Sequence, residues 1–278
     1  MRVVTLVENS TNNETLRAEH GLSFYIETPH HKIIFDTGTT KSFIENGRIL
    51  NINFEEVDLI IISHAHYDHT GGLCKLLKIN KTAKVILKRE IFNNQYFSFR
   101  NELKSIGFPA ELHLYKNRFI YADEVIEPID EIHIISNIKI THPTPKGNGL
   151  LHKIDGTSLI EDDFKHELIM AVETPNGLVL FSGCAHNGIV NFIETTQNRL
   201  PNNPITDVIG GFHLIDKNEF VTTETNKELL EIANQLNNYQ SINHYITGHC
   251  TGNEAYSTLK TVLNGKLEHL ATGMEINI

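Results

Sequence analysis

Residues 64 to 69 read His64-Ala65-His66-Tyr67-Asp68-His69, so three histidines and one aspartate fall within six positions. Imidazole and carboxylate together suit zinc, and also iron or manganese. Side chains alternate in an extended segment, which puts His64 and His66 on one side. Asp68 and His69 come where the chain must turn into a helix, so they can face a neighbouring point. The spacing therefore offers two adjacent sites for divalent cations, one fed by His64 and His66, the other by Asp68 and His69. The bland alternatives are a histidine-rich surface loop or a single structural zinc. A structural zinc normally closes with four ligands, commonly cysteines, and no cysteine lies in this segment. Gly71 and Gly72 follow and are expected to let the backbone pass close to the ions.

These residues must be held by the elements around them. Leu59–Ser63 is a continuous apolar run ending in polar residues, the pattern of a strand buried on both faces. Leu73, Leu76 and Leu77 then recur at helical spacing. Val3–Val7, Ser23–Thr28, Ile33–Asp36 and Val85–Leu87 read as further strands, with Pro29-His30-His31-Lys32 as a turn. The second half repeats the rhythm. Leu168–Thr174 and Leu178–Ser182 flank an Asn176-Gly177 hairpin signal. Ile189, Phe192, Ile193 and Leu200 suggest a helix, and Val208–Gly210 a short strand. Thr225-Asn226-Lys227-Glu228 has the form of a capping box ahead of Leu229, Ile232, Ala233 and Leu236. Tyr245–Thr247 is a strand, Tyr256, Leu259 and Leu263 mark a last helix, and Glu275–Ile278 a final strand. Two β-rich halves with helices most simply make two mixed sheets packed face to face with helices outside, a single α/β domain over residues 1–278. The region around 90–165 fits this rhythm least well, and Pro143–His166 reads as a long loop.

Composition narrows the function. The chain has 278 residues, 24 Lys+Arg against 34 Asp+Glu, and a formal charge of −10. An acidic chain without a dense basic cluster makes a poor nucleic-acid binder, because phosphate contacts dominate that affinity. No apolar run approaches the roughly 18 to 20 residues of a membrane-spanning helix, and the opening residues lack the form of a secretory signal. With three cysteines, too few for a disulfide framework, a reducing cytoplasm is the expected setting. Histidines number 16, more than the 14 phenylalanines, a surplus that suits metal binding or proton transfer near neutral pH.

His64-Ala65-His66-Tyr67-Asp68-His69 resembles the H-x-H-x-D-H signature of the metallo-β-lactamase superfamily, and Phe35-Asp36-Thr37-Gly38 resembles the turn that precedes it there. The resemblance implies a four-layer αβ/βα sandwich with the metals at one edge of the two sheets. Ser182-Gly183-Cys184-Ala185-His186-Asn187-Gly188, Gly210-Gly211-Phe212-His213-Leu214, Gly248-His249-Cys250-Thr251-Gly252 and Glu19-His20-Gly21-Leu22-Ser23 are similar to the branch of dihydropterin-methyl-ribofuranosylaminobenzene phosphate synthases. Within it, the resemblance implies His186 as third ligand of the first metal and His249 of the second, with His142 in reserve for the first. Cys184 stands where most superfamily members place a bridging aspartate; either its thiolate binds metal or it is a small buried residue. His213 is expected beside the ions or against substrate. His20 either joins them or packs beneath the turn, and Asp36 either steadies a ligand histidine or caps its turn. Cys74 and Cys250 are expected to pack, Asp162 and Asp163 to form a solvated loop face. His166 has no motif around it.

The expected cofactors are two divalent ions, zinc first, with iron or manganese as alternatives. They imply hydrolysis of a small, anionic ester or phosphoester, with Asp68 orienting the hydroxide and His213 assisting. The branch resemblance implies a second activity, transfer of a dihydropterin-methyl group from its diphosphate to a ribofuranosylaminobenzene phosphate. A non-catalytic metal-bound sensor is the third reading. The expected partner is a small molecule, not a nucleic acid or a membrane.

Overall fold

The computed structural model describes residues 1–92, 95–123, 126–217 and 219–278. Two seven-stranded sheets form its centre. The first runs in the order Glu275–Asn277, Arg2–Val7, Ser23–Glu27, Lys32–Phe35, Leu59–Ile61, Lys84–Leu87, Phe119–Tyr121. It is antiparallel up to Lys32–Phe35 and parallel beyond. The second runs Leu267–His269, His244–Thr247, Ile205–Gly210, Gly177–Ser182, Ile169–Thr174, Ile132–Ile135, Ile126–Ile129. Its first four strands are parallel and the rest antiparallel.

The period-two alternation of each strand sorts its side chains between layers. Leu59 and Ile61 enter the apolar layer between the sheets, where they meet Phe181, Ile209 and Ile246 of the second sheet. Ile60 and Ile62 point the other way, into the cluster that includes Phe43, Leu73 and Leu76 of the helices Ser42–Ile49 and Leu73–Ile79. In the second sheet Val208 and Tyr245 face the helices Ile189–Arg199, Asn226–Asn238 and Asn253–Leu263. The order is helix, sheet, sheet, helix, the mixed α/β sandwich expected. Each fully buried Ile or Leu contributes roughly 1.5–3 kcal/mol, so the central strands are the least free to move. That matters because the site hangs from their ends. Among the described residues no helix is long and apolar enough to cross a membrane.

The capping box forms as read: the Thr225 hydroxyl accepts from the Glu228 N–H, and the Glu228 carboxylate accepts from the Thr225 N–H at 2.8 Å. Other elements depart from the reading. Pro143–His166 is not a long loop; it contains the hairpin Leu151–Asp155/Ser158–Glu161, turning at Gly156, whose φ is +60°. Its two loop residues are Gly156-Thr157, and the glycine signal is masked by the polar residues around it. This hairpin joins Gln95–Phe99 and Leu103–Ser105 in a separate four-stranded sheet. No local signal marks the helix Ser42–Ile49, because no side chain caps its N-terminus and Gly47 interrupts it.

Candidate metal centre

The site lies where parallel strands of both sheets end, the usual edge for ligand binding in such sheets. Leu59–Ile61 delivers Ser63, His64 and His66, and a short helix, Tyr67–Thr70, carries Asp68 and His69. From the second sheet, Cys184 and His186 follow Gly177–Ser182, His213 follows Ile205–Gly210, and His249 follows His244–Thr247. Gly183 lets the two sheets' loops meet, because a Cβ there would lie 2.1 Å from Ser63 Oγ. Asp36, Ala185, His213 and His249 all have left-handed backbones, φ +59°, +56°, +51° and +55°. Such conformations cost energy and gather at functional sites.

Hydrogen bonds determine which ring nitrogens face inward. The buried Asp36 carboxylate accepts from the Ser63 N–H at 2.8 Å, the Ser63 hydroxyl at 2.6 Å and His69 Nδ1–H at 2.6 Å. Since the hydroxyl proton goes to Asp36, Ser63 Oγ must accept from His64 Nδ1–H, 2.8 Å away. Asn148 gives its amide N–H to the His186 carbonyl, leaving its oxygen to accept from His186 Nδ1–H at 3.0 Å. Asn9 does the same for His249, with 3.1 Å to Nδ1. Four imidazoles thus turn an Nε2 lone pair into the site, each held by an acceptor behind it. Asp36 therefore steadies a histidine rather than merely capping its turn.

These lone pairs fall into two groups. His64, His66 and His186 bring ligand atoms within 4.8 Å of one another, with His64 Nε2 3.1 Å from His66 Nδ1. In the other, His69 Nε2 stands 3.1 Å from His249 Nε2, and Asp68 Oδ2 is 3.4 Å from His249 Nε2 and 3.8 Å from His69 Nε2. Cys184 Sγ is 3.2 Å from His69 Nε2 and also groups with His64 and His69, between the two. Two ligands at about 2.05 Å in a tetrahedron lie about 3.3 Å apart, close to both nitrogen–nitrogen distances. Buried ring nitrogens crowded this closely, with the Nε2 atoms of His66 and His186 left without a partner, fit a cation.

Electrostatics agrees. Burial, reinforced by the neighbouring rings, pushes His64 and His186 well below the usual histidine range and His66 down to about 3, so these imidazoles are neutral. Burial resists ionisation of Asp68, but His69, His20 and His249 outweigh it and hold the carboxyl well below its usual range. At His249 burial is likewise outweighed, chiefly by the hydrogen bond to Asp68, and its pKa rises to about 9. Without a cation a proton occupies that position. Burial raises the Cys184 thiol, and coordination would reverse that sign.

His186, the first choice, stands in the cluster, while the reserve candidate His142 bonds Glu194 Oε1 at 2.8 Å outside it. His20 lies beside the acid: its Nε2 is 3.1 Å from Asp68 Oδ2 and its ring stacks on His249. His213 is buried, with its ring 4.1 Å from that of His186. Gly71 and Gly72 serve close packing against Thr39 and Thr37 backbone, not approach to the ions. Asp162 is buried, not solvated; it accepts from His166 Nε2–H at 2.9 Å, while His166 Nδ1 accepts from the Ala65 N–H at 3.1 Å. That pair braces the segment between His64 and His66. Cys250 faces the cavity beside Cys184 and His213 rather than packing in the core. Asn9, Asn148, His166 and Glu167, whose carboxylate accepts the His186 and Asn187 N–H groups, were missed. No local spacing marks them.

The cavity over the site holds about 540 Å³. Its floor includes His66, Asp68, His186 and His249, and the small sheet contributes Arg100 and Lys104 to its wall.

The metallo-beta-lactamase superfamily's sequence model matches residues 16–188. A Methanocaldococcus jannaschii protein named 7,8-dihydropterin-6-methyl-4-(beta-D-ribofuranosyl)-aminobenzene-5'-phosphate synthase is 30% identical, over 98% of this chain and 95% of its own. A crystal structure described as a metal-dependent hydrolase of the beta-lactamase superfamily superposes with a TM-score of 0.83 at 27% identity, covering 100% of this chain and 99% of that one. A diphosphatase of the PhnP family, at 11% identity and a TM-score of 0.53 over 100% and 97% of the two chains, shares the fold alone.

Proposed function

Because the chain belongs to the metallo-beta-lactamase superfamily, we propose that it is a metal-dependent hydrolase of a small, anionic ester or phosphoester. The carrying observation is the pair of converging lone-pair sets: His64, His66 and His186 on one side, Asp68, His69 and His249 on the other, with Cys184 between. Those residues would hold two divalent ions, zinc first by donor chemistry and iron or manganese as alternatives. Such ions lower the pKa of bound water from 15.7 toward about 7 and stabilise charge on a phosphoryl or carbonyl oxygen.

The protein's own residues do the rest. Asp68 accepts a proton or orients the attacking oxygen through Oδ2, and His20, 3.1 Å away, keeps that carboxylate ionised. His213 presents a buried ring to the cavity and contacts the substrate. Arg100 attracts the anionic group, Lys104 being paired with Glu102 at 3.0 Å, while the acidic exterior disfavours a nucleic acid.

A second reading, transfer of a pterin-methyl group from its diphosphate to an arylamine, is favoured by the name of the 30%-identical archaeal relative. There the same centre would bind the diphosphate leaving group. The test is release of phosphate or pyrophosphate by metal-reconstituted protein, with and without an arylamine co-substrate. Release without amine supports hydrolysis; strict amine dependence replaces it with transfer. No turnover of any phosphoester or ester with ions bound would refute both.

A further inference from the structure

Three neighbouring parallel strands of the second sheet, Gly177–Ser182, Ile205–Gly210 and His244–Thr247, each end in a loop carrying one donor to a common point. The donors are Cys184, His213 and Cys250, whose ligand atoms all lie within 4.8 Å of one another. His213 is only 9% exposed, and its ring nitrogens meet no polar partner other than the Cys250 sulfur, which buried polar groups rarely tolerate. Its left-handed backbone donates the N–H to Cys250 Sγ at 3.3 Å, tying the two loops together. Gly211 leaves room for the sulfur, since a Cβ there would meet Cys250 Sγ at 2.5 Å. All three side chains line the cavity. The Cys250 Sγ–H reaches the Cys184 carbonyl at 3.6 Å, which holds one sulfur in place but leaves the His213 ring nitrogens without an oxygen or nitrogen partner. Two cysteines and a histidine, open on one side, are the three-ligand set with which zinc keeps a fourth position for solvent or substrate.

We propose that Cys184, His213 and Cys250 form a third cation position, selective for a thiophilic divalent ion such as zinc, beside the two histidine-lined positions and sharing Cys184 with them. Loading all three positions exchanges the S–H protons of Cys184 and Cys250 for sulfur–metal bonds, the protons going to solvent, with no change of oxidation state. The position places positive charge on the cavity wall, where an anionic substrate would meet it in either hydrolysis or transfer.

The test is cobalt(II) titration of metal-stripped protein in a phosphine reductant. It reads ions bound per chain and the thiolate-to-cobalt charge-transfer absorption, for the wild type, Cys250→Ser and His213→Asn. Each variant is expected to bind one ion fewer than the wild type and to show a weaker charge-transfer band. Equal stoichiometry and an unchanged band in both variants would overturn the third position and leave the two-ion reading standing. A wild type that binds no ion would remove both. Should the variants fail to fold, cadmium-113 resonance of the wild type decides: a signal in the two-sulfur range supports the proposal, and its absence defeats it.

Discussion

Replacing Asp36 with asparagine tests the logic of the centre without touching a residue that would contact an ion. Asp36 accepts three hydrogen bonds, two from Ser63 and one from His69 Nδ1–H. An amide offers one oxygen and one N–H2, so at least one of those donors must face another donor. If the N–H2 takes the Oδ2 position, His69 must move its proton to Nε2, the atom that faces His249 and Cys184. The lone pair is then lost to the ion, as in the wrong-tautomer effect known for aspartate-to-asparagine changes behind catalytic histidines. If the amide turns over, the Ser63 N–H goes unmet. Loss of a group holding a ligand typically weakens metal affinity 10–100-fold, equivalent to about 1.4–2.7 kcal/mol. A buried donor left unmet costs about 1–3 kcal/mol of stability besides. Competition titration against a chromophoric chelator should show one zinc affinity falling by that factor in Asp36→Asn, with the others changed less. Affinities all within twofold of the wild type, in a folded variant, would refute the reasoning that Asp36 sets the His69 tautomer.

His186→Ala should cost one bound ion per chain while His142→Ala costs none, read by elemental analysis; the reverse result would restore His142 as ligand. The metal-free protein should lose stability as pH falls from about 6.5 toward about 3, because the unfolded chain takes up protons that buried His66 refuses until about pH 3. His249 has the opposite sign: its contribution is complete below about 6.5 and is lost as pH rises through about 9. Thermal melts of stripped protein across pH 4–10 check both limbs, and a flat profile contradicts them. Gly183→Ala should destabilise the fold by about 1–3 kcal/mol and lower metal affinity, since its Cβ would strike Ser63 Oγ at 2.1 Å; denaturant unfolding measures it, and no change in midpoint would show the loops are slack.

The superfamily and the core of the centre were legible because they depend on short-range chemistry. The spacing His64-Ala65-His66-Tyr67-Asp68-His69 behind a buried strand leaves few physical alternatives, and strand alternation sorts Leu59 and Ile61 from Ile60 and Ile62 without knowledge of their partners. The small sheet was not legible: Gln95–Phe99 and Leu151–Asp155 pair across more than fifty residues, and no local pattern reports a partner so distant. The same limit hid Asp162, whose polar neighbours suggest a solvated loop although its carboxylate is buried against His166.

What the amino-acid order determined alone is the donor types, the strand that carries them and the layered sandwich, because periodicity and residue chemistry act over a few positions. Tertiary structure decided that His186 and not His142 stands in the cluster, the seat of Cys184 between the two groups, and the carboxylate and amides that aim each ring. Those are contacts between loops from two different sheets. Their distances are set only when both sheets have packed and Gly183 has let them touch.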